Sequence, residues 1–425
     1  MDSDYDVLVV GARVAGASLA LLLGEKGHRV LLVDRDTFPS DTLSTHFVIA
    51  SGMMALKRLG VLDDLHAAGF RRVTRSRTWI EDCLFEGPAG PAGATMLAPR
   101  RDALDSILIR HARERGGVEF HEQTIVEGLI EQDGRVVGAT LRTRDGERRE
   151  VHARVVVGAD GKYSKVAEWV KAERYDTTPA LRPAYYGYYH GLTPLPETAL
   201  EIFFCDDRIG FVFPMRPDED CLALELQPEE YEAFRANPRE LFEERFRALP
   251  GMAARMRDVT LENGKLFGTR GIENYLRRPF GPGWALIGDA AYLKDPSNGS
   301  GIGDAVSQAF PLADALDATL RGADWETTMS AYQHTRDAAV TPMYHWTIAA
   351  TQRHDAAPEA ITWLRAALVT PHVARRMIYW LADAMPDGLP PDVQQRVKAT
   401  GPYFGVHASP PIAVAQPARD PDARS

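Results

Sequence analysis

The chain has 425 residues, 45% of them hydrophobic, and a formal net charge of −10. That length exceeds one simple core and suits two domains with a helical appendage. The acidic balance, with basic residues scattered rather than gathered into a stripe, argues against a nucleic-acid partner. Cys83, Cys205 and Cys221 are widely spaced, so neither a disulfide framework nor a metal site is expected. The acidic start Met1-Asp2-Ser3-Asp4 runs straight into a strand, and no apolar run approaches the ~20 residues of a spanning helix. A reducing cytoplasm is the expected compartment.

In chain order, Asp6-Val7-Leu8-Val9-Val10 reads as a buried strand and Gly11-Ala12-Arg13-Val14-Ala15-Gly16-Ala17 as a turn entering a helix over 18–26. A second strand, Val30–Val33, ends in Asp34. This is the dinucleotide-binding βαβ pattern: a tight turn, a helix N-terminus aimed at a pyrophosphate, and an acid for a ribose diol. Arg13 stands where the pattern has glycine, and either keeps an ordinary φ and points away or lends its charge to phosphate. Arg35 is placed to stack on adenine or to lie solvated on the surface.

A polar loop over 41–52 carries Ser44, Thr45 and His46 and precedes a helix over 53–59. Residues 75–84 read as a strand and 87–93 as a hairpin tip or mobile loop. Arg101-Asp102-Ala103-Leu104-Asp105 opens a helix to about residue 115. Strands are expected at 118–121, 125–131, 136–142 and 151–157, with hairpin turns at Asp133-Gly134 and Asp145-Gly146. The last of them runs into Gly158-Ala159-Asp160-Gly161-Lys162-Tyr163-Ser164, an acid and a glycine delivered to a turn before a helix.

From about Pro183 the texture becomes aromatic, with strands at 185–190, 199–204, 209–215 and 221–226 that suggest a substrate sheet. Tyr186, Tyr188 and His190 share one face and Tyr185 and Tyr189 the other. One face should line a pocket, extended by Phe211 and Phe213; ordinary sheet packing is the alternative. The run Trp284-Ala285-Leu286-Ile287-Gly288-Asp289 is a third crossing. Lys294-Asp295-Pro296 and the cluster Gly299-Ser300-Gly301-Ile302-Gly303 follow it. Helices are expected at 304–320, 325–352, 358–368 and 371–384. No His-Glu-x-x-His, Cys-x-x-Cys or Gly-x-Ser-x-Gly occurs.

Over about residues 5–335, these three crossings resemble the FAD-binding monooxygenase superfamily. It includes para-hydroxybenzoate hydroxylase-like group A enzymes, geranylgeranyl reductase-like enzymes and flavin-dependent halogenases. The resemblance implies an α/β fold in which a Rossmann-like FAD-binding domain (1–75, 95–180 and 277–335) receives a mainly antiparallel substrate sheet (76–94 and 181–276). A C-terminal helical region (336–408) and a disordered tail (409–425) complete it.

For FAD, the resemblance implies Gly11, Ala12, Arg13, Ala15 and Gly16 at the pyrophosphate, with Asp34 and Arg35 at the adenosine. Arg101 belongs beside the pyrophosphate or ribityl chain, and Asp160 near the pyrophosphate and the entrance for the reductant. Gly288 and Asp289 face the ribityl hydroxyls, while Pro296, Gly299, Ser300, Gly301 and Ile302 line the isoalloxazine. Helix capping is the competing account for Asp160 and Asp289. A helix beginning near Gly301 aims its positive end at the flavin N1 and C2 carbonyl. Pro296 and Gly301 are thus candidate active-site residues. His46, in a loop that passes the flavin edge, is a candidate polar contact or proton relay, with a structural loop histidine as the alternative.

The implied activity is hydroxylation of an aromatic or polyketide-like small molecule by O2 through a flavin C4a-hydroperoxide, with NADPH or NADH as reductant. A reductase of prenyl double bonds is the second reading. A halogenase ranks below it: Asp295-Pro296 and Ser300-Gly301 resemble the halogenase flavin loop, but Phe211-Val212-Phe213-Pro214 lacks the paired tryptophans and residues 75–84 lack a lysine. A non-catalytic FAD binder completes the set.

Overall fold

The structure, a computed structural model, describes residues 3–44, 46–89 and 95–352. The helices expected at 358–368 and 371–384 and the tail at 409–425 lie outside those residues. The first layer is a sheet in which Trp284–Leu286, Arg148–Gly158, Tyr5–Val10, Val30–Val33 and Glu119–His121 run parallel, side by side, with Phe280–Gly281 antiparallel at one edge. Its central strands are apolar without alternation because both faces are covered. Helices Val14–Glu25, Arg101–Glu114 and Gly301–Leu320 pack on one face, and the hairpin Thr124–Gln132 with Arg135–Thr143 on the other.

The second layer is mainly antiparallel. Thr260–Leu261, Ala184–His190, Asp220–Glu225, Arg208–Pro214, Ala199–Cys205, Arg75–Ile80 and Cys83–Pro88 follow in that order, and only Ala199–Cys205 with Arg75–Ile80 pair in parallel. Residues 75–84 are therefore not one strand. The chain reverses at Glu81, with φ 50°, and Gly87 lies inside the returning strand rather than at a tip. Residues 90–94 are outside the described set.

Helices Tyr231–Ala236, Pro238–Ala248 and Met252–Arg255 occupy a stretch in which the sequence pattern places no element. Phe234, Phe242 and Phe246 on them cover Tyr185, Tyr189, Phe203 and Leu222 on one face of the sheet. That leaves Tyr186, Tyr188, Phe211 and Phe213 on the opposite face, where Phe47 stacks on Phe213 at 5.3 Å. A third, three-stranded sheet sets Asn274–Arg277 between Arg174–Thr178 and Tyr292–Leu293, braced by the helix Trp325–Thr351. No helix among the described residues is long and apolar enough to cross a membrane.

Helices begin earlier than the apolar pattern suggests, at Val14, Ala50 and Gly301. The glycines that weaken their first turns permit close packing instead. A Cβ on Gly52 would lie 2.9 Å from the Cα of Gly303, so the N-terminal turns of Ala50–Leu59 and Gly301–Leu320 meet backbone to backbone.

Candidate functional site

The three crossings converge at the carboxyl ends of their strands, where open α/β sheets bind ligands. Gly11 has φ +105°, and a Cβ there would lie 2.4 Å from the Ala159 carbonyl oxygen; one on Gly16 would lie 1.8 Å from the Gly11 oxygen. Gly288, at φ +62°, sits so near the first turn that a Cβ would be 2.7 Å from that of Ala15. The Ala12 N–H donates to Asp34 Oδ2 at 2.7 Å and the Asp36 N–H to Oδ1 at 2.9 Å. Burial pushes the Asp34 carboxyl up from its usual range, opposed by these two donors.

Arg13 takes an ordinary φ of −80°. Its guanidinium reaches Asp105 at 2.8 Å, Asp36 at 3.0 Å and the Ser40 hydroxyl at 3.2 Å. Asp105 is fully buried and also binds Arg101 one helical turn away, at 3.1 Å. Arg35 is exposed, with Asp36 at 3.9 Å as its ion-pair partner. Asp160 accepts from the Lys165 N–H at 2.7 Å, the Val166 N–H at 3.2 Å and the Ser164 hydroxyl, so its carboxylate serves the start of the helix Lys165–Trp169.

Asp289 is different. Its side chain is open to solvent, yet protein surrounds it, as on the floor of a cleft. Enclosure pushes its carboxyl up, countered by the charges of Arg101, Lys294 and Lys162. The cleft wall continues through Gly288, Lys294, Gly301, Ala305 and Gln308. A Cβ on Gly301 would meet nothing within 4 Å. Gly299 takes φ +66° to end the turn Pro296–Asn298, and Ser300 and Ile302 are buried beside it.

Two features of the wall escape the sequence patterns. Lys294 is buried and ion-paired to Asp304, which also accepts from the Ser300 hydroxyl at 2.9 Å. Gln308 is 5% exposed and neither its amide nitrogen nor its oxygen has a partner. Helical period alone would have placed Gln308 on the face of Gly301 and Asp304, at seven and four residues' spacing. An unpaired buried amide, an open glycine and a free carboxylate on one wall fit a polyhydroxyl chain ending in a flat ring, as FAD supplies.

The aromatic face supplies a second group of residues. Tyr188 OH lies 2.8 Å from Asp41 Oδ2 and 2.7 Å from His46 Nε2. The Arg100 guanidinium covers the Tyr188 ring at 3.6 Å, and the Tyr186 ring stands edge-on to His46 at 5.6 Å. The loop is held there by Val48, whose N–H donates to the Leu97 carbonyl at 2.8 Å. Burial, with Arg101 and Arg100 nearby, pushes the His46 imidazole down to about 3 against the pull of Asp41. Phe211 and Phe213 stack at 5.3 Å on the same face. His190 does not join this group: it ends its strand bonded to the Asp218 carbonyl at 2.7 Å.

Among proteins of known activity, the chain is 27% identical over 342 residues to a 1H-pyrrole-2-carbonyl-[peptidyl-carrier protein] brominase of Pseudoalteromonas luteoviolacea, covering 77% of this chain and 81% of the relative. It is 28% identical to the aklavinone 12-hydroxylase RdmE of Streptomyces purpurascens, covering 80% of this chain and 66% of that one, just under two thirds. In fold it is similar to a triply substituted form of the flavin-dependent brominase Bmp2, with a TM-score of 0.76 and 22% identity over 93% of this chain and 98% of that chain. It is also similar to aklavinone-11 hydroxylase solved with FAD and aklavinone, with a TM-score of 0.68 and 25% identity over 82% of this chain and 69% of that chain. Halogenases thus stand beside hydroxylases among the relatives, higher than the motif comparison ranks them. The model of the FAD binding domain matches residues 4–347, and the chain belongs to that family, as an FAD-dependent oxidoreductase of the monooxygenase and halogenase group.

Proposed function

We propose that the protein is an FAD-dependent monooxygenase that inserts one oxygen atom from O2 into an aromatic or polyketide-like small molecule, with NAD(P)H as reductant. The observation that carries this reading is the inward face of the sheet. Tyr186, Tyr188, Phe211 and Phe213 form an aromatic wall with the buried His46 at its edge, and Arg101 acts electrostatically on both His46 and Asp289 of the cleft. FAD, when bound, supplies the redox chemistry, accepting hydride and activating O2.

The chain's own residues hold and orient. Asp34 takes the adenosine ribose, and the backbone of Gly11 to Gly16 the pyrophosphate. Asp289 and Gln308 take the ribityl hydroxyls. Pro296 and Gly301 seat the ring, and the N-termini of Gly301–Leu320 and Ala50–Leu59, brought together at Gly303 and Gly52, favour negative charge there. The aromatic wall excludes water and fixes the substrate.

A halogenase is the second reading, supported by the brominase relative. Against it, the strand Arg75–Ile80 carries no lysine and Phe211-Val212-Phe213-Pro214 no tryptophan. The deciding experiment supplies FAD-loaded protein with NADPH, O2 and a panel of phenolic and polyketide substrates, with and without bromide. Oxygenated product independent of bromide supports the proposal. Product that needs bromide transfers it to the halogenases, and double-bond reduction without O2 to the reductases.

A further inference from the structure

The strand Asp220–Glu225 ends in a buried carboxyl that meets a second one. Glu225 is 3% exposed, and Asp295, which opens the turn Pro296–Asn298, is 1% exposed. The two side chains hydrogen-bond to each other. Ionised carboxylates only accept, so this bond requires that one of the pair carry a proton. The Ser297 N–H donates to Asp295 Oδ1 at 3.1 Å, and the Thr351 hydroxyl lies 3.4 Å from the same oxygen. By contrast, no N–H or hydroxyl donor among the described residues serves the buried Glu225 Oε2. An ionised Glu225 would leave that oxygen uncompensated. The proton is therefore on Glu225, which donates, and Asp295 is the anion.

The charge nearby agrees. Arg182 acts on both carboxyls, but it is also ion-paired to Asp207 and donates from Nε to the Thr351 carbonyl at 2.7 Å. One cation already shared with Asp207 leaves the pair room for one negative charge, not two. The helix Trp325–Thr351 holds the turn from another side. The Ser297 hydroxyl lies 2.7 Å from that of Thr351, and Asn298 Nδ2 donates to the Thr347 hydroxyl at 2.9 Å. The bond from Glu225 joins the same turn to the substrate sheet.

We infer that Glu225 is a positioning residue: as a neutral acid it donates to Asp295 and so pins the turn Pro296–Asn298 to the end of the substrate sheet. Burial pushes both carboxyls up, Glu225 the further. A folded value above the unfolded one means that the pin's stabilisation is complete below the ordinary glutamate range and is lost as pH climbs toward the raised value. There the proton leaves to solvent and two anions face each other in a dry site. The groups facing Glu225 are Asp295 on the turn, Arg182 ahead of Ala184–His190 and, through Arg182, Asp207 before Arg208–Pro214. That the pinned turn seats the flavin ring rests on the FAD-site assignment; the proton on Glu225 does not.

The first test is infrared spectroscopy of the FAD-loaded protein at pH 7 with carbon-13 glutamate. Wild type should show the carbonyl band of a neutral glutamic acid, absent in Glu225→Gln. Only ionised glutamate in wild type overturns the pin, with no variant needed. The second is urea unfolding of the full chain in excess FAD between about pH 5 and 7, above the ordinary glutamate value. The wild-type unfolding constant should rise about tenfold more per pH unit than that of Glu225→Gln, because the unfolded chain releases one proton that the folded one keeps. Parallel curves overturn the pin. The third is FAD affinity at pH 7. Glu225→Ala should bind FAD roughly tenfold more weakly, the loss of one hydrogen bond to a charged group, and Glu225→Gln, whose amide still donates, should stay near wild type. Full affinity in the alanine variant, or an equal loss in both, overturns the positioning role. A wild type that binds no FAD sinks the flavin reading instead, and the infrared and unfolding measurements still decide the pin.

Discussion

Removal of Lys294 should be felt strongly. Its side chain is 5% exposed and ion-paired to Asp304, which is 28% exposed. Removing one partner of a fully buried pair costs about 3–5 kcal/mol, because the other charge is left without compensation. Asp304 keeps partial access to water and the Ser300 hydroxyl at 2.9 Å, so Lys294→Met should cost less, ~2–3 kcal/mol. The double variant Lys294→Met/Asp304→Leu removes both charges and should recover to within about 1 kcal/mol of wild type, a coupling typical of contacting residues. Burial alone would lower the Lys294 pKa, but Asp304 and Tyr292 outweigh it, and the net shift is upward. The pair's contribution is therefore fully present below the ordinary lysine range and fades only as pH rises through the raised folded value. Urea unfolding of FAD-free protein at neutral and strongly alkaline pH measures each quantity. A Lys294→Met protein within ~0.5 kcal/mol of wild type at neutral pH, the scatter of an ordinary surface substitution, would refute the reasoning.

Asp34→Ala removes a carboxylate that organises the first turn and is expected to bind ribose, so FAD affinity should fall by ~10- to 100-fold, about 1.5–3 kcal/mol. Titration of FAD fluorescence measures it, and unchanged affinity moves the adenosine site elsewhere. Gln308→Leu should act with opposite signs on two observables. Relief of an unpaired buried amide stabilises the FAD-free protein by about 1 kcal/mol, while FAD binding weakens roughly fivefold or more. Thermal unfolding with and without FAD separates the two, and a stability gain with full affinity means that the amide does not face the cofactor. Gly301→Val should retain FAD yet release more of the consumed oxygen as hydrogen peroxide per NAD(P)H, since it disturbs the ring's seat and not the adenosine end. Identical coupling in the two proteins would place the ring elsewhere.

The βαβ crossings were legible because each is local: an apolar run, a glycine turn and a helix start lie within about a dozen residues, and backbone sterics act at that range. Gly11, Gly16 and Gly288 stand where their turns need them, and the aromatic runs after Pro183 form strands buried on both faces. The two-residue period of a strand assigns its side chains to two faces but cannot say what covers each. Phe234, Phe242 and Phe246 decided that by packing on Tyr185 and Tyr189, which turned Tyr186 and Tyr188 inward. Likewise, Arg13 visibly breaks the glycine pattern, but its partners lie 23 and 92 positions away. His46 meets Tyr188 across 142 positions. Contacts of that separation are set by how layers stack and loops close, so the chemistry of the aromatic wall and the partners of Arg13 belong to the tertiary structure, while the flavin-binding frame belongs to the sequence.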